Sequence, residues 1–174
     1  MSVAPDYAEP FEAWRVWRVV RRDREYSLGS VIQRTLWPAG EAFTAECLRA
    51  PRLFSRFRSK RYHDAPEARC DCGIYAAALE RVSQYIADAP CRGVSRVLGK
   101  VALWGTVVEC DRGLRASQAY PTRIYIPFDA GKPWRVDWEE VAIGLWRYGV
   151  PVEALASTSA DAPRALAELQ ATAA

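Results

Sequence analysis

Residues 63–75, HDAPEARCDCGIY, place the only histidine of the chain beside two of its five cysteines. A third cysteine precedes them, and the spacing is Cys47, 15 residues, His63, six residues, Cys70, one residue, Cys72. Thiolate and imidazole are the ligands that Zn²⁺ prefers in proteins, and four of them in a tetrahedron close a structural site. The sequence therefore predicts that these four side chains bind one zinc ion.

The same residues allow other interpretations. Cys72 can be a nucleophile with His63 as its general base, although the sequence does not show which side chain would orient the imidazole. A catalytic zinc would need only three protein ligands and a water molecule, with Glu67 or Asp64 as general base. Free cysteine is also common in protein cores, so the residues need not share a site.

The cysteine count and the hydropathy indicate the compartment. An odd number of unevenly spread cysteines predicts reduced thiols, with Cys91 and Cys110 as packing or exposed thiols outside the site. No apolar run reaches the roughly 18 residues that span a bilayer, and the first residues lack the pattern of a secretory signal. We therefore expect a cytoplasmic protein that does not bind membranes.

Length and composition favour one globular domain. The chain has 174 residues, half of them hydrophobic and seven of them tryptophan, which is ample material for a core. We place a single α+β domain at residues 1–153. The alanine-rich residues 154–174 offer little to bury and are predicted to form a flexible or marginally helical tail.

Alternating apolar residues predict a sheet. The pattern AWRVWRVVR predicts a strand over residues 13–21, and a later extended segment places Cys47 at a strand end. The most strand-like residues are 101–110 and 114–126, which flank a CDRG turn where Gly113 can take a positive φ. These patterns indicate a curved antiparallel sheet or a partly closed barrel.

Two segments carry helical patterns. Residues 73–88 predict one long helix directly after Cys72, so that its N-terminus would favour a thiolate there. A second helix of about 12 residues is predicted from the N-cap Asp137, with Glu140 as its capping-box partner. Gly149 and Pro151 would end that helix.

Residues 49–69 form a long predicted loop between Cys47 and Cys70. Loops of this length in a compact domain are usually functional or held by a specific interaction, because ordering irregular backbone costs entropy. This loop contains a group of basic residues, which are Arg49, Arg52, Arg56, Arg58, Lys60 and Arg61. They suit the phosphates of a nucleotide or nucleic acid, although a basic run can also be a solvated surface loop.

Two motifs resemble an uncharacterised family of small bacterial proteins with no known activity. They are HDAPEARCDCGIYA and LGKVALWGTVVECDRGLRASQAYP, within a match over residues 35–121. The resemblance implies a shared site in which four residues of paired strands lie near the cysteine loop, namely Trp104, Glu109, Arg115 and Tyr120. Aromatic walls with few polar groups are typical of a ligand pocket, while Arg115 and Glu109 could equally form a surface ion pair.

These patterns together favour a non-enzymatic, zinc-stabilised binding module for a nucleotide or nucleic acid. The predicted ligand-binding residues are Trp104, Glu109, Arg115 and Tyr120 with Arg56, Arg58 and Arg61 of the loop. A zinc- or cysteine-dependent hydrolase that uses Cys72 and His63 is the first alternative. A protein–protein adaptor with a tryptophan-rich surface is the second, since tryptophan and arginine dominate interface energetics.

Overall fold

A seven-stranded sheet with two short helices accounts for most of the described chain, in a computed structural model that describes residues 9–47, 63–87, 96–128 and 138–156. The strands are β1 Phe11–Arg22, β2 Glu25–Ser30, β3 Phe43–Thr44, β4 Ile74–Ala76, β5 Arg96–Cys110, β6 Gly113–Phe128 and β7 Val152–Ala156. The helices are α1 Leu79–Ala87 and α2 Trp138–Leu145, and a 3₁₀ turn at Trp146–Tyr148 extends α2.

The long hairpin of β5 and β6 is the centre of the sheet, as its alternating pattern predicts. β5 pairs with β1, and β1 pairs with β2, all antiparallel. The other side of β6 is shared by the three short strands β4, β3 and β7. Gly113 takes the expected positive φ, at 125°, and a Cβ there would lie 2.4 Å from the carbonyl oxygen of Ala76.

The sheet is mixed and is not closed into a barrel. The prediction of a curved antiparallel sheet or a partly closed barrel is therefore only partly right. β7 runs parallel to β6, with Ile124 opposite Val152. A parallel neighbour requires a crossover connection, and α2 lies within the segment that connects the two strands. β7 also extends to residue 156, past position 153 where we placed the end of the domain.

Both faces of the sheet are covered. On one face Trp17 and Leu28 are fully buried with Val141 and Leu145 of α2. A smaller cluster on the other face joins Val16, Leu98 and Tyr125 to α1 through Leu79 and Val82, all buried. The strands of the central hairpin therefore carry apolar side chains on both faces, because a helix packs on each face of the sheet.

The prediction of one long helix at residues 73–88 is wrong. Residues 74–76 form strand β4, and α1 begins only at Leu79 and has nine residues. Gly73 has a φ of 118°, outside the helical region, and the next three residues pair with β6. Pairing with a distant strand thus overrides the local helix propensity of this segment.

The second predicted helix matches α2 and its 3₁₀ extension, which end at Gly149 with a φ of 67°. The proposed N-cap Asp137 lies outside the described residues, as do residues 157–174 of the predicted tail. Within the described part of the chain, no helix is long and apolar enough to cross a lipid bilayer.

Candidate metal centre

Strands β3 and β4 follow one another along the same edge of β6. β3 pairs with residues 118–119, the backbone N–H of Ala45 donates to the carbonyl of Ser117 at 2.8 Å, and β4 pairs with residues 114–116. The two strands are therefore halves of one interrupted edge strand. β3 ends at Thr44 and β4 begins at Ile74, so the interruption lies between these two residues.

The four predicted ligands lie at this interruption. Cys47 follows β3, whereas Cys70 and Cys72 immediately precede β4. Their ligand atoms and one ring nitrogen of His63 all lie within 4.8 Å of one another. The four side chains are therefore close enough to hold a metal ion.

Two of the distances can be compared with tetrahedral geometry. The Sγ atoms of Cys47 and Cys70 are 3.8 Å apart, and Cys72 Sγ lies 3.8 Å from His63 Nδ1. Zn–S bonds of about 2.3 Å at tetrahedral angles place two sulfurs about 3.8 Å apart. The observed spacing thus fits a tetrahedral ion such as zinc.

Backbone geometry sets the turn that carries Cys70 and Cys72. The N–H of Cys70 donates to the carbonyl of Glu67 at 3.1 Å. At Gly73 a Cβ would lie 2.9 Å from Pro66 Cβ and 3.2 Å from Arg115 Cβ. Because its φ is 118° and its surroundings are crowded, glycine is required directly after the second cysteine of the pair.

Arg115 supports the cysteine turn from β6. Its side chain is buried, with 5% exposed. One guanidinium nitrogen, Nη1, donates to the carbonyl oxygens of Cys70, of Cys72 at 3.1 Å and of Glu67 at 3.3 Å. The guanidinium carbon lies 5.8 Å from the centre of the Tyr75 ring. The resemblance implied that Arg115 lies near the cysteine loop, but nothing in the sequence predicted these carbonyl contacts.

The two cysteines of the pair ionise differently. Burial works against the thiolate of Cys70, but hydrogen bonds from the backbone and side chain of Cys72 and from His63 lower its pKa to about 7. Burial raises the pKa of Cys72 to about 11, and neighbouring thiols add to the effect. A hydrogen bond between Nδ1 and the carbonyl of Asp64, at 2.9 Å, raises the pKa of His63.

Glu109 and Arg115 do not face each other. Strand register pairs Glu109 with Leu114 and Val108 with Arg115. Successive side chains of a strand point to opposite faces, so the carboxylate and the guanidinium lie on opposite sides of the sheet. The expected ion pair between them is therefore wrong.

Trp104 and Tyr120 have other contacts in the described structure. The hydroxyl of Tyr120 accepts a hydrogen bond from Gly40 N–H at 2.7 Å and donates one to the Tyr148 carbonyl at 2.8 Å. Trp104 lies opposite Gln118, next to an irregularity in the β5–β6 register. Tyr120 thus fixes a connection between distant segments, and a shared ligand pocket for these side chains stays a prediction.

The remaining predicted residues lie outside the described residues or outside the cluster. The loop residues Arg56, Arg58 and Arg61 lie outside the described residues, with Arg49, Arg52 and Lys60, and so does Cys91. Cys110 is a free thiol at the end of β5 and is not part of the four-residue cluster.

The chain matches no protein-family model, and neither a curated protein nor a solved structure is significantly similar to it. The resemblance to a family of small bacterial proteins therefore depends on the two motifs alone and stays a prediction.

Proposed function

We propose that this protein is a binding module stabilised by one zinc ion on Cys47, His63, Cys70 and Cys72. The mutual approach of these four side chains, within 4.8 Å, carries the proposal. Four protein ligands fill a tetrahedron, whereas a catalytic zinc keeps one position for water or substrate. The complete ligand set supports a structural role.

The ion would join the two ends of residues 48–62, since Cys47 and His63 flank this segment. It contains six basic and no acidic residues, and its aromatic residues are Phe54, Phe57 and Tyr62. Guanidinium groups bind phosphate, and aromatic rings stack on bases. A metal-anchored segment of this composition supports a nucleotide or a single-stranded nucleic acid as the ligand.

Metal analysis tests the first part of the proposal. Purified protein should contain about one zinc per chain, and a chelator should lower its thermal midpoint, because metal binding contributes to folding free energy. Cys72→Ser should lose the metal, whereas Cys110→Ser, which changes a thiol outside the cluster, should retain it. Metal-free wild-type protein with an unchanged midpoint would contradict the zinc proposal.

Charge removal tests the second part. We expect the triple variant Arg56→Gln, Arg58→Gln, Arg61→Gln to bind a labelled single-stranded oligonucleotide more weakly. The slope of log K against log salt concentration should also become shallower, by about 0.7 for each phosphate contact that is lost. The control removes the same charge from exposed positions elsewhere, with Arg22→Gln, Arg24→Gln and Arg112→Gln. If neither wild type nor variant binds oligonucleotides or nucleotides, the adaptor interpretation gains support instead.

The hydrolase alternative is less well supported. A nucleophilic cysteine needs a lowered pKa, whereas burial raises the pKa of Cys72 to about 11. If Cys72 were a nucleophile, Cys72→Ser would spare the fold and abolish turnover. Our proposal expects the reverse, a loss of stability together with the metal.

A further inference from the structure

Arg115 is a buried cation without a buried anion to pair with. Its side chain is 5% exposed, and no carboxylate of the described residues lies within ion-pair distance of it. Its partners are three backbone carbonyls and the face of the Tyr75 ring, and its Nε atom has no acceptor. Burying a charge is costly unless an opposite charge offsets it.

The carbonyls that Arg115 contacts belong to the metal-binding turn. Two of them are the carbonyls of Cys70 and Cys72, which carry two of the three sulfurs of the cluster. When a divalent ion is bound by three thiolates and a neutral imidazole, the centre has a net charge of −1. Such a centre would carry a charge opposite to that of the buried guanidinium, which donates to the backbone of two of the ligand residues.

Among the described residues, no helix begins directly after these thiols. The sequence predicted a helix N-terminus directly after Cys72, but α1 begins at Leu79 and strand β4 lies in between. The positive potential expected from a helix N-terminus therefore needs another source. Arg115 carries a positive charge and donates a hydrogen bond to the carbonyl of Cys72.

We propose that Arg115 is a positioning residue and the counter-charge of the metal centre, and that it raises the affinity for a divalent ion without changing which side chains bind that ion. This inference depends on the proposed metal site. It assigns Arg115 no direct contact with the ion, and its effect passes through the backbone of the cysteine turn and through its charge. Outer residues of this kind typically change metal affinity by about 10- to 100-fold.

Metal affinity in two variants tests the inference. Arg115→Met keeps an unbranched side chain but removes the charge and the donors, whereas Arg115→Lys keeps the charge. With zinc affinities measured by chelator competition, we expect Arg115→Met to bind at least about tenfold more weakly and Arg115→Lys to remain within about threefold of wild type. Arg123→Met is the matched control, since Arg123 is an exposed arginine of the same strand.

A cobalt-substituted sample separates positioning from ligation. The sulfur-to-cobalt charge-transfer absorption reports the thiolates bound, and at saturation it should be the same in wild type and Arg115→Met. A changed spectrum would mean that Arg115 determines which side chains bind the ion, and it would overturn the proposed role.

The other outcomes are equally decisive. Wild-type affinity in Arg115→Met, or equal weakening in both variants, would overturn the inference while leaving the metal site intact. Wild-type protein that binds no metal would instead overturn the proposed function, and this inference with it. If Arg115→Met does not fold, the zinc affinity of Arg115→Lys decides the question. This variant keeps the charge, so an affinity about tenfold weaker than that of wild type would exclude the charge as the cause.

Discussion

At the scale of single residues, the candidate metal centre combines thiols with different proton affinities. Cys70 has a pKa of about 7, whereas burial raises that of Cys72 to about 11. Metals bind thiolates, so an ion must displace the proton of Cys72 at any physiological pH. Metal binding at this site would therefore release protons.

The first prediction concerns the pH dependence of metal affinity. Because Cys72 is protonated well below its pKa of about 11, each fall of one pH unit makes its proton tenfold harder to displace. Zinc affinity should fall at least about tenfold from pH 8 to pH 7, and more steeply below pH 7 as Cys70 also takes up a proton. Chelator competition at three pH values measures this slope, and a constant affinity would contradict it.

The second prediction concerns Gly73. An alanine there would combine a φ of 118° with a Cβ 2.9 Å from Pro66 Cβ. Gly40 also has a positive φ, of 79°, but a Cβ there would meet nothing within 4 Å, which makes it a matched control. In chemical unfolding, we expect a loss of about 3 kcal/mol for Gly73→Ala and about 1 kcal/mol for Gly40→Ala. Equal losses would show that crowding at Gly73 has no effect.

At the scale of elements, the interrupted edge strand indicates what a bound metal would stabilise. β3 has two residues and β4 has three, so neither contributes many hydrogen bonds to β6. An ion bound between their facing ends would link Cys47 to Cys70 and Cys72, and it would reduce the entropy gained when the short strands detach. The sequence predicted the ligands of this loop but not β4, because the helix-forming composition after Gly73 outweighed a pairing that depends on β6.

The third prediction follows for hydrogen exchange. Chelation should raise the exchange rates of backbone amides at residues 43–45 and 74–76 by at least about tenfold, because local opening becomes easier. Amides of residues 97–101, in the centre of β5, should keep their protection. Exchange resolved by residue, with and without chelator, measures the difference. A uniform increase across all strands would show that the ion stabilises the whole sheet rather than its edge.

At the scale of the whole molecule, Tyr148 connects the C-terminal segment to the N-terminal half of the sheet. Its buried hydroxyl accepts a hydrogen bond from Leu28 N–H and donates one to the Trp37 carbonyl, both at 2.8 Å. Its own carbonyl accepts the hydroxyl of Tyr120. Three distant parts of the chain thus meet at one residue.

The fourth prediction tests this connection. Tyr148→Phe leaves a buried donor and a buried acceptor without partners, which should lower the free energy of unfolding by about 2 kcal/mol. Tyr85→Phe, at a partly exposed position of α1, should change it by less than about 0.5 kcal/mol. Thermal or chemical denaturation measures both variants. If Tyr148→Phe is as stable as Tyr85→Phe, the hydroxyl does not hold these segments together.

The sequence by itself determined the features that depend on residue type and short-range pattern. It identified the β5–β6 hairpin from alternating apolar residues, the region of α2 with its end at Gly149, and the four side chains that can hold a metal. These predictions succeed because alternation, helix termination and ligand chemistry can each be recognised within a few neighbouring residues.

Only the tertiary structure decided how those parts meet. The parallel pairing of β7, the strand at 74–76 and the carbonyl contacts of Arg115 all depend on residues far apart in the chain. A one-residue change of register would move Arg115 to the other face of β6, away from the cysteine turn. Register and burial are set by the packing of the whole sheet, and therefore no local pattern could have specified them.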